Sequence, residues 1–194
     1  MSVRQGLDLK KELQRKAIHI SFVVIPVFYA WTHQKGLVIR ILLILLAGFL
    51  AVDLLRLKFA LVRKLFLHIF GSLLRESERQ KRLTGATTLL MGWTLAVVVF
   101  KEKPAVVGML FTGLADPAAA IVGRIWGKNK FWNKSLEGAA AFYFTASFII
   151  LAFTGYSWAG LGVALGMSVL EFLPIGIDDN LTIPVVTAYL LSVI

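Results

Sequence analysis

Cysteine is absent from the 194 residues, so neither a disulfide staple nor a thiolate metal site is open to this chain. Charge is scarce as well. Asp, Glu, Lys and Arg make up 16% of the chain and hydrophobic residues 58%, where a soluble domain is about a quarter charged and about half apolar. With a mean hydropathy of +0.77, that excess excludes a water-soluble core and predicts an integral membrane protein. Acids are scarcest, 11 against 21 Lys and Arg, for a net charge of +10. The opening MSVRQGLDLKKELQRK is too polar for a secretory signal peptide. No Ser- or Pro-rich linker, second domain or convincing internal repeat is visible, so residues 1–194 read as one transmembrane domain.

What the chain does have is apolar runs. A span needs about 20 apolar residues, with a range of about 17–25. On that measure we expect an all-α, polytopic protein of about seven transmembrane helices: roughly 17–34, 37–55, 86–101, 104–125, 138–154, 156–173 and 181–194. The first, third and last are short. Seventeen of the 21 Lys and Arg fall before the first span, in the loop around 56–85 or between Arg124 and Lys134. Positive-inside placement then predicts a cytoplasmic N-terminus and a multi-pass protein of the cell membrane. It also accounts for the net charge without nucleic acid as a partner.

Within the loop, Leu54, Leu57, Leu61, Leu65, Ile69 and Leu73 recur at three- and four-residue steps, with Arg56, Arg63 and Lys64 off that face. Two readings stand: an amphipathic helix over about 56–75 lying at the interface, or a cytoplasmic extension of the second span.

Threading the spans brings scattered polar residues to one side. Arg15, Lys16 and His19 lie at the inner mouth of the first span, and Thr84 to Thr87 open the third. Asp116 sits in the inner half of the fourth, while Lys134, Ser135 and Glu137 open the fifth. Glu171 ends the sixth, and Asp178, Asp179 and Asn180 precede the seventh. Each group has a plain structural reading. Asp116-Pro117 alone is a kink, Gly123 and Gly127 form a helix-packing spacing, and Ser135 to Glu137 or Thr84 to Thr87 are helix starts. A kink leaves a carboxylate at membrane depth unexplained, and such a carboxylate is costly. GRIWGKN is one residue short of a P-loop and has Asn129 where Ser or Thr is required.

Together these residues suit one ligand class. Carboxylates with an amide suit Mg²⁺, held by one or two protein carboxylates plus substrate phosphates. Lys and Arg suit phosphate oxygens, glycines admit the backbone, and a helix start at Ser135 adds a favourable dipole. With a second substrate reaching the site laterally from the bilayer, this is a layout for phosphoryl or nucleotidyl transfer at a membrane surface. A transporter would place polar residues at mid-depth in several spans, which spans one, two and five lack.

Asp116-x-x-Ala119-x-x-x-Gly123-x-x-x-Gly127, followed by Lys134-Ser135-Leu136-Glu137-Gly138, resembles the CTP-binding signature of the dolichol kinase family, which includes phytol kinases and CTP-dependent diacylglycerol kinases. Arg15-Lys16-x-x-His19, Leu83 to Thr87, and Glu171 followed by Asp178-Asp179-Asn180-Leu181 extend the likeness over nearly the whole chain. Asn133 stands where a second lysine is common, and Ser135 replaces a common threonine. The resemblance implies a multi-pass kinase that uses CTP and a divalent metal to phosphorylate a membrane lipid alcohol of polyprenol, dolichol or phytol type. Diacylglycerol is the alternative acceptor, and CDP-lipid synthesis of the phosphatidate cytidylyltransferase kind the alternative reaction.

On that reading Asp116, Asp179 and Asn180 hold Mg²⁺ or position the triphosphate. Lys134, helped by Arg15, Lys16 and Arg124, neutralises phosphate charge. Glu137 or Glu171 orients these cations or accepts the hydroxyl proton, with His19 a second candidate base. Thr84, Gly85 and Thr87 contact the nucleotide through backbone N–H groups, and Gly123, Gly127, Ser135 and Gly138 line its approach. Small-residue spacings would permit a homo-oligomer.

Overall fold

The computed structural model describes residues 3–74, 78–79, 82–132, 134–155 and 157–194, with side chains from Glu12 onward. Asn133, singled out above, lies outside the described residues, as do the side chains of Arg4, Lys10 and Lys11.

Helix α1, Val3–Ser21, is polar in its first half and turns apolar at Ile18. It ends at a turn over Phe22 and Val23, and α2 resumes at Val24–Thr32. The expected first span is therefore two helices. Helix α3, Lys35–Lys58, is unbroken until Phe59 takes an extended conformation. Beyond that break α4, Ala60–Phe70, is a separate helix with no buried residue, which rules out a simple continuation of the second span. A short 3₁₀ turn, Gly71–Leu73, follows.

Helix α5, Gly85–Val99, starts where the Thr84 hydroxyl accepts the Thr87 N–H. Helix α6, Glu102–Leu110, then runs through a π-helical turn, Phe111–Ala115, into α7, Asp116–Ile125. Pro117 explains the widened turn. It has no N–H to close the usual bond, and a π turn relieves the crowding. The kink therefore places Asp116 at the join. A two-residue hairpin, β1 Lys130–Phe131 and β2 Lys134–Ser135, pairs Lys130 with Ser135 and Phe131 with Lys134, a small departure from an all-helical chain. The remaining helices are α8, Leu136–Thr154, α9, Trp158–Phe172, and α10, Asp179–Ser192.

Among the described residues, three helices are long and apolar enough to cross a membrane: Lys35–Lys58, Glu102–Ile125 and Leu136–Thr154. Gly85–Val99 and Trp158–Phe172 are apolar but shorter. The chain is a helical membrane protein, and the expectation of seven spans is finer than these lengths support. Burial ranks the long helices. In the most apolar stretch of Glu102–Ile125, 72% is buried, against 17% for Lys35–Lys58, so the Asp116 helix is the axis and α3 an outer wall.

Small residues let the packing close. Helix α10 lies against both α5 and α6, where a side chain at Gly92 would start 2.9 Å from Pro184 Cγ. Helices α7 and α8 meet the same way: a Cβ on Gly138 would sit 2.8 Å from the Ala119 carbonyl, and one on Gly123 would sit 2.9 Å from Ser135 Oγ. The motif glycines thus seat Ser135 and the start of α8 against α7.

Candidate active site

Two cavities lie side by side with α1 between them. The first, of about 640 Å³, is lined by α1, α7, the hairpin and the starts of α8 and α10. Five cations face it (Arg15, Lys16, Arg124, Lys130, Lys134) along with four carboxylates (Glu12, Asp116, Glu171, Asp179). Lys16, buried on α1, donates to Asp116 Oδ2. Lys134 Nζ lies 2.9 Å from Glu171 Oε1 and 3.0 Å from Asp179 Oδ2, and also donates to the Glu171 carbonyl. Glu12 is bonded by Arg15 at one oxygen and by Arg124, at 2.9 Å, at the other. Each acid holds one or two cations in place, so the charges are positioned before any ligand arrives. Burial alone would lower the Lys134 pKa, but Glu171 and Asp179 more than offset it and hold the ammonium above the ordinary lysine value of 10.5.

Arg15, Lys16, Asp116, Gly123, Arg124, Lys134, Ser135, Gly138, Glu171 and Asp179 are thus gathered at one cavity, though they span most of the chain. Ser135 caps α8, accepting the Gly138 N–H at 3.1 Å. Other expected residues are elsewhere. Glu137 does not line the cavity; its Oε1 accepts from the Asn129 N–H and side-chain amide at 3.2 and 3.0 Å, pinning the loop before the hairpin. Asn180 turns toward α5, its Nδ2 3.3 Å from the Gly85 carbonyl and 3.4 Å from Thr88 Oγ1. Gly127 packs against Ser135 rather than facing the cavity.

Thr84, Gly85 and Thr87 do not line the charged cavity. The Thr84 N–H is donated to Asp53 Oδ2 at 2.8 Å and the Gly85 N–H to Glu78 Oε1 at 3.1 Å. The Thr87 N–H bonds the Thr84 hydroxyl, and the Thr87 hydroxyl bonds Asp53 at 2.6 Å. The donors a nucleotide would need are already engaged. Thr84 and Gly85 line the second cavity instead.

Sequence reasoning overlooked Glu12, Lys130 and Trp132 on the charged cavity. Glu12 had a signal, standing three residues before Arg15 on one helix face. Trp132 had none. It rims the cavity in a left-handed backbone conformation, φ 54°, with its ring packed on Phe172.

The fit for a metal is specific. Among the described residues, no three His, Asp or Glu side chains converge to hold an ion by themselves. Asp116 and Asp179 do face one cavity, and Mg²⁺ needs only one or two carboxylates when phosphates supply the rest. The donor set fits a metal that arrives with a polyphosphate.

The second cavity, about 700 Å³, is walled by α1, α3, α4 and the start of α5. Apart from Ser21, its lining is aliphatic and aromatic except at one end, where Arg15, His19, Asp53, Glu78 and Thr84 gather. Arg15 faces both cavities.

The chain is 30% identical over 188 residues to an uncharacterized protein of Methanocaldococcus jannaschii, covering 94% of this chain and 93% of that one. It is 28% identical over 207 residues to CTP-dependent diacylglycerol kinase 1 of Schizosaccharomyces pombe, covering 95% and 94%. It is also 23% identical over 216 residues to the Saccharomyces cerevisiae protein of that name, covering 95% and 74%. The chain belongs to the family of CTP-dependent lipid kinases. No family model matches it, and no solved structure does.

Proposed function

We propose that this kinase transfers the γ-phosphoryl group of CTP to the hydroxyl of a membrane lipid alcohol, at the cytoplasmic face of a multi-pass protein. Diacylglycerol is the first acceptor to test, because the named relatives act on it. Polyprenol, dolichol and phytol remain in the panel on motif resemblance. The observation that carries the reading is the meeting of Asp116, Lys134 and Asp179 at one cavity beside an apolar one.

In the charged cavity Lys134, Lys16, Arg15 and Arg124 take the phosphate oxygens. Asp116 and Asp179 would hold Mg²⁺ with the triphosphate, and the ion would supply charge neutralisation there. The acceptor oxygen forms a bond to the γ-phosphorus, the bridging P–O bond breaks, and CDP leaves. The hydroxyl proton passes to His19, one turn beyond Arg15 on the same face of α1, or to Glu171 beside Lys134. Glu137 and Thr84 to Thr87 act as positioning residues. The cytoplasmic assignment is supported by the 17 of 21 cationic residues on the expected inner side.

The test is purified protein with labelled CTP or ATP, Mg²⁺ and a panel of lipid alcohols, followed by product mass. A lipid monophosphate with CDP is expected. A CDP-lipid with pyrophosphate would replace the kinase by a cytidylyltransferase, and no product with any alcohol would remove both.

A further inference from the structure

We propose that the apolar cavity seats one aliphatic chain of a neutral lipid alcohol, which slides in from the bilayer between α3 and α4 with its hydroxyl leading toward Arg15. This rests on the kinase reading and assigns that reaction its acceptor site.

Four observations carry it. The cavity's volume, about 700 Å³, lies within the range of small-molecule sites. Its long walls are hydrocarbon: Ile18 from α1, Phe22 from the turn that follows, Phe49 and Val52 from α3, Phe66 and Phe70 from α4. The α3 side opens outward. Ile44 is 73% exposed, and a Cβ on Gly48 would meet nothing within 4 Å. A chain can therefore enter without crossing water. The ionisable groups are confined to one end, and that end adjoins the charged cavity through Arg15. An alcohol with an apolar tail matches this polarity gradient.

The closed end is built, not incidental. Arg56, 1% exposed, donates to Asp53 at 2.6 Å, to the Glu78 carbonyl at 2.8 Å and to the Arg82 carbonyl at 2.7 Å, and lies 5.1 Å from the Phe66 ring centroid. Asp53 in turn holds Thr84 and Thr87. A buried ion pair in apolar surroundings is costly, and neither of these two residues reaches the charged cavity. What the clamp does is fix α4, Glu78, Arg82 and the start of α5 around α3. Those are the walls and floor of the apolar cavity. Near its floor, Glu78 Oε1 and His19 Nε2 lie 3.3 and 3.9 Å from the point where a Gly85 side chain would begin. The leading hydroxyl would meet these two groups first.

Gly48→Trp fills the mouth without touching either cavity's charged groups. With a long-chain diacylglycerol in mixed micelles, its apparent KM for lipid should rise at least about ten-fold, while the KM for CTP and turnover of a short-chain diacylglycerol stay within two-fold. Gly162→Trp, at an open position on α9, is the control and should match the parent for both acceptors. If Gly48→Trp does not elute as a folded protein, Ile44→Trp is read by the same measure. Equal effects on long and short acceptors, or none on either, would overturn the assignment. Absence of CTP-dependent product in the parent protein would instead sink the kinase reading, so the two failures are told apart.

Discussion

The two cavities are nearly equal in volume and opposite in character. One carries nine ionisable side chains; the other is mostly hydrocarbon with ionisable groups at a single end. Among the described residues only α1 lines both, and Arg15 is the residue common to them. A reaction between a hydrated polyphosphate and a bilayer alcohol needs two such environments in contact, because neither medium dissolves both reactants. Substitutions in the charged cavity should therefore disturb CTP and chemistry. Those along the hydrocarbon walls of the apolar one should disturb the lipid alone.

The largest effect should come from Asp116→Asn, which removes a carboxylate the metal-bound triphosphate requires. Turnover should be lost while the protein still elutes as a folded species in detergent; retained turnover would take Asp116 out of the metal role. Lys16, 3% exposed, loses its counter-charge in that variant, and stranding a buried partner costs about 3–5 kcal/mol. Lys16→Met added to Asp116→Asn should restore the melting temperature without restoring activity, separating the structural loss from the chemical one.

Lys134→Met comes next. Deleting one preorganised cation from a transition-state site costs on the order of 10²–10³ in kcat, and Lys134→Arg should recover part of it. The sign of its pH dependence is fixed. Its folded pKa is raised, so the stabilisation it contributes is complete below the ordinary lysine value of 10.5 and fades only as pH climbs through the higher folded value. A pH–rate profile should show no step from this group between about pH 7 and 10. A step there that vanishes in Lys134→Arg would overturn the assignment.

How far the sequence could see differs between the two halves. The charged residues were legible because an ionisable group in an apolar chain is conspicuous, and helix direction sends those at alternate helix ends to one side. Asp116, Lys134, Glu171 and Asp179 converge for that reason. The apolar cavity was not legible, since Phe49, Phe66 and Gly48 look like any lipid-facing residue until three helices enclose a space. Asp53 illustrates the same limit. Its partner Arg56 is one turn away, but Thr84 and Thr87 reach it across more than thirty residues, and only tertiary packing reveals that the threonines serve a wall. The break at Phe59 was similarly hidden, because the leucine periodicity runs through it.

Trp132 tests the rim of the charged cavity and should give a smaller change. Stacking a base on an aromatic ring is worth about 1–3 kcal/mol, at least about a five-fold change in affinity. If Trp132 is the platform for cytosine, Trp132→Ala should raise the KM for CTP by that factor with kcat little changed. Inhibition by inorganic tripolyphosphate, which has no base, should be unaffected. Equal weakening of both would mean that Trp132 only shapes the hairpin.

The smallest effect on nucleotide kinetics should belong to Thr87→Val, and that smallness is the point. A hydrogen bond to a charged group contributes about 1.5–3 kcal/mol, and Thr87 Oγ1 sits 2.6 Å from a buried Asp53. Losing it should lower the melting temperature by several degrees, since each kcal/mol is worth about 2–4 °C in a chain of this size. The KM for CTP should not move, because the Thr87 N–H and hydroxyl are both engaged away from the charged cavity. The lipid KM should rise modestly as the floor of the apolar cavity loosens. The opposite pattern, an unchanged melting temperature with a raised KM for CTP, would return this turn to the nucleotide and dissolve the division between the two cavities.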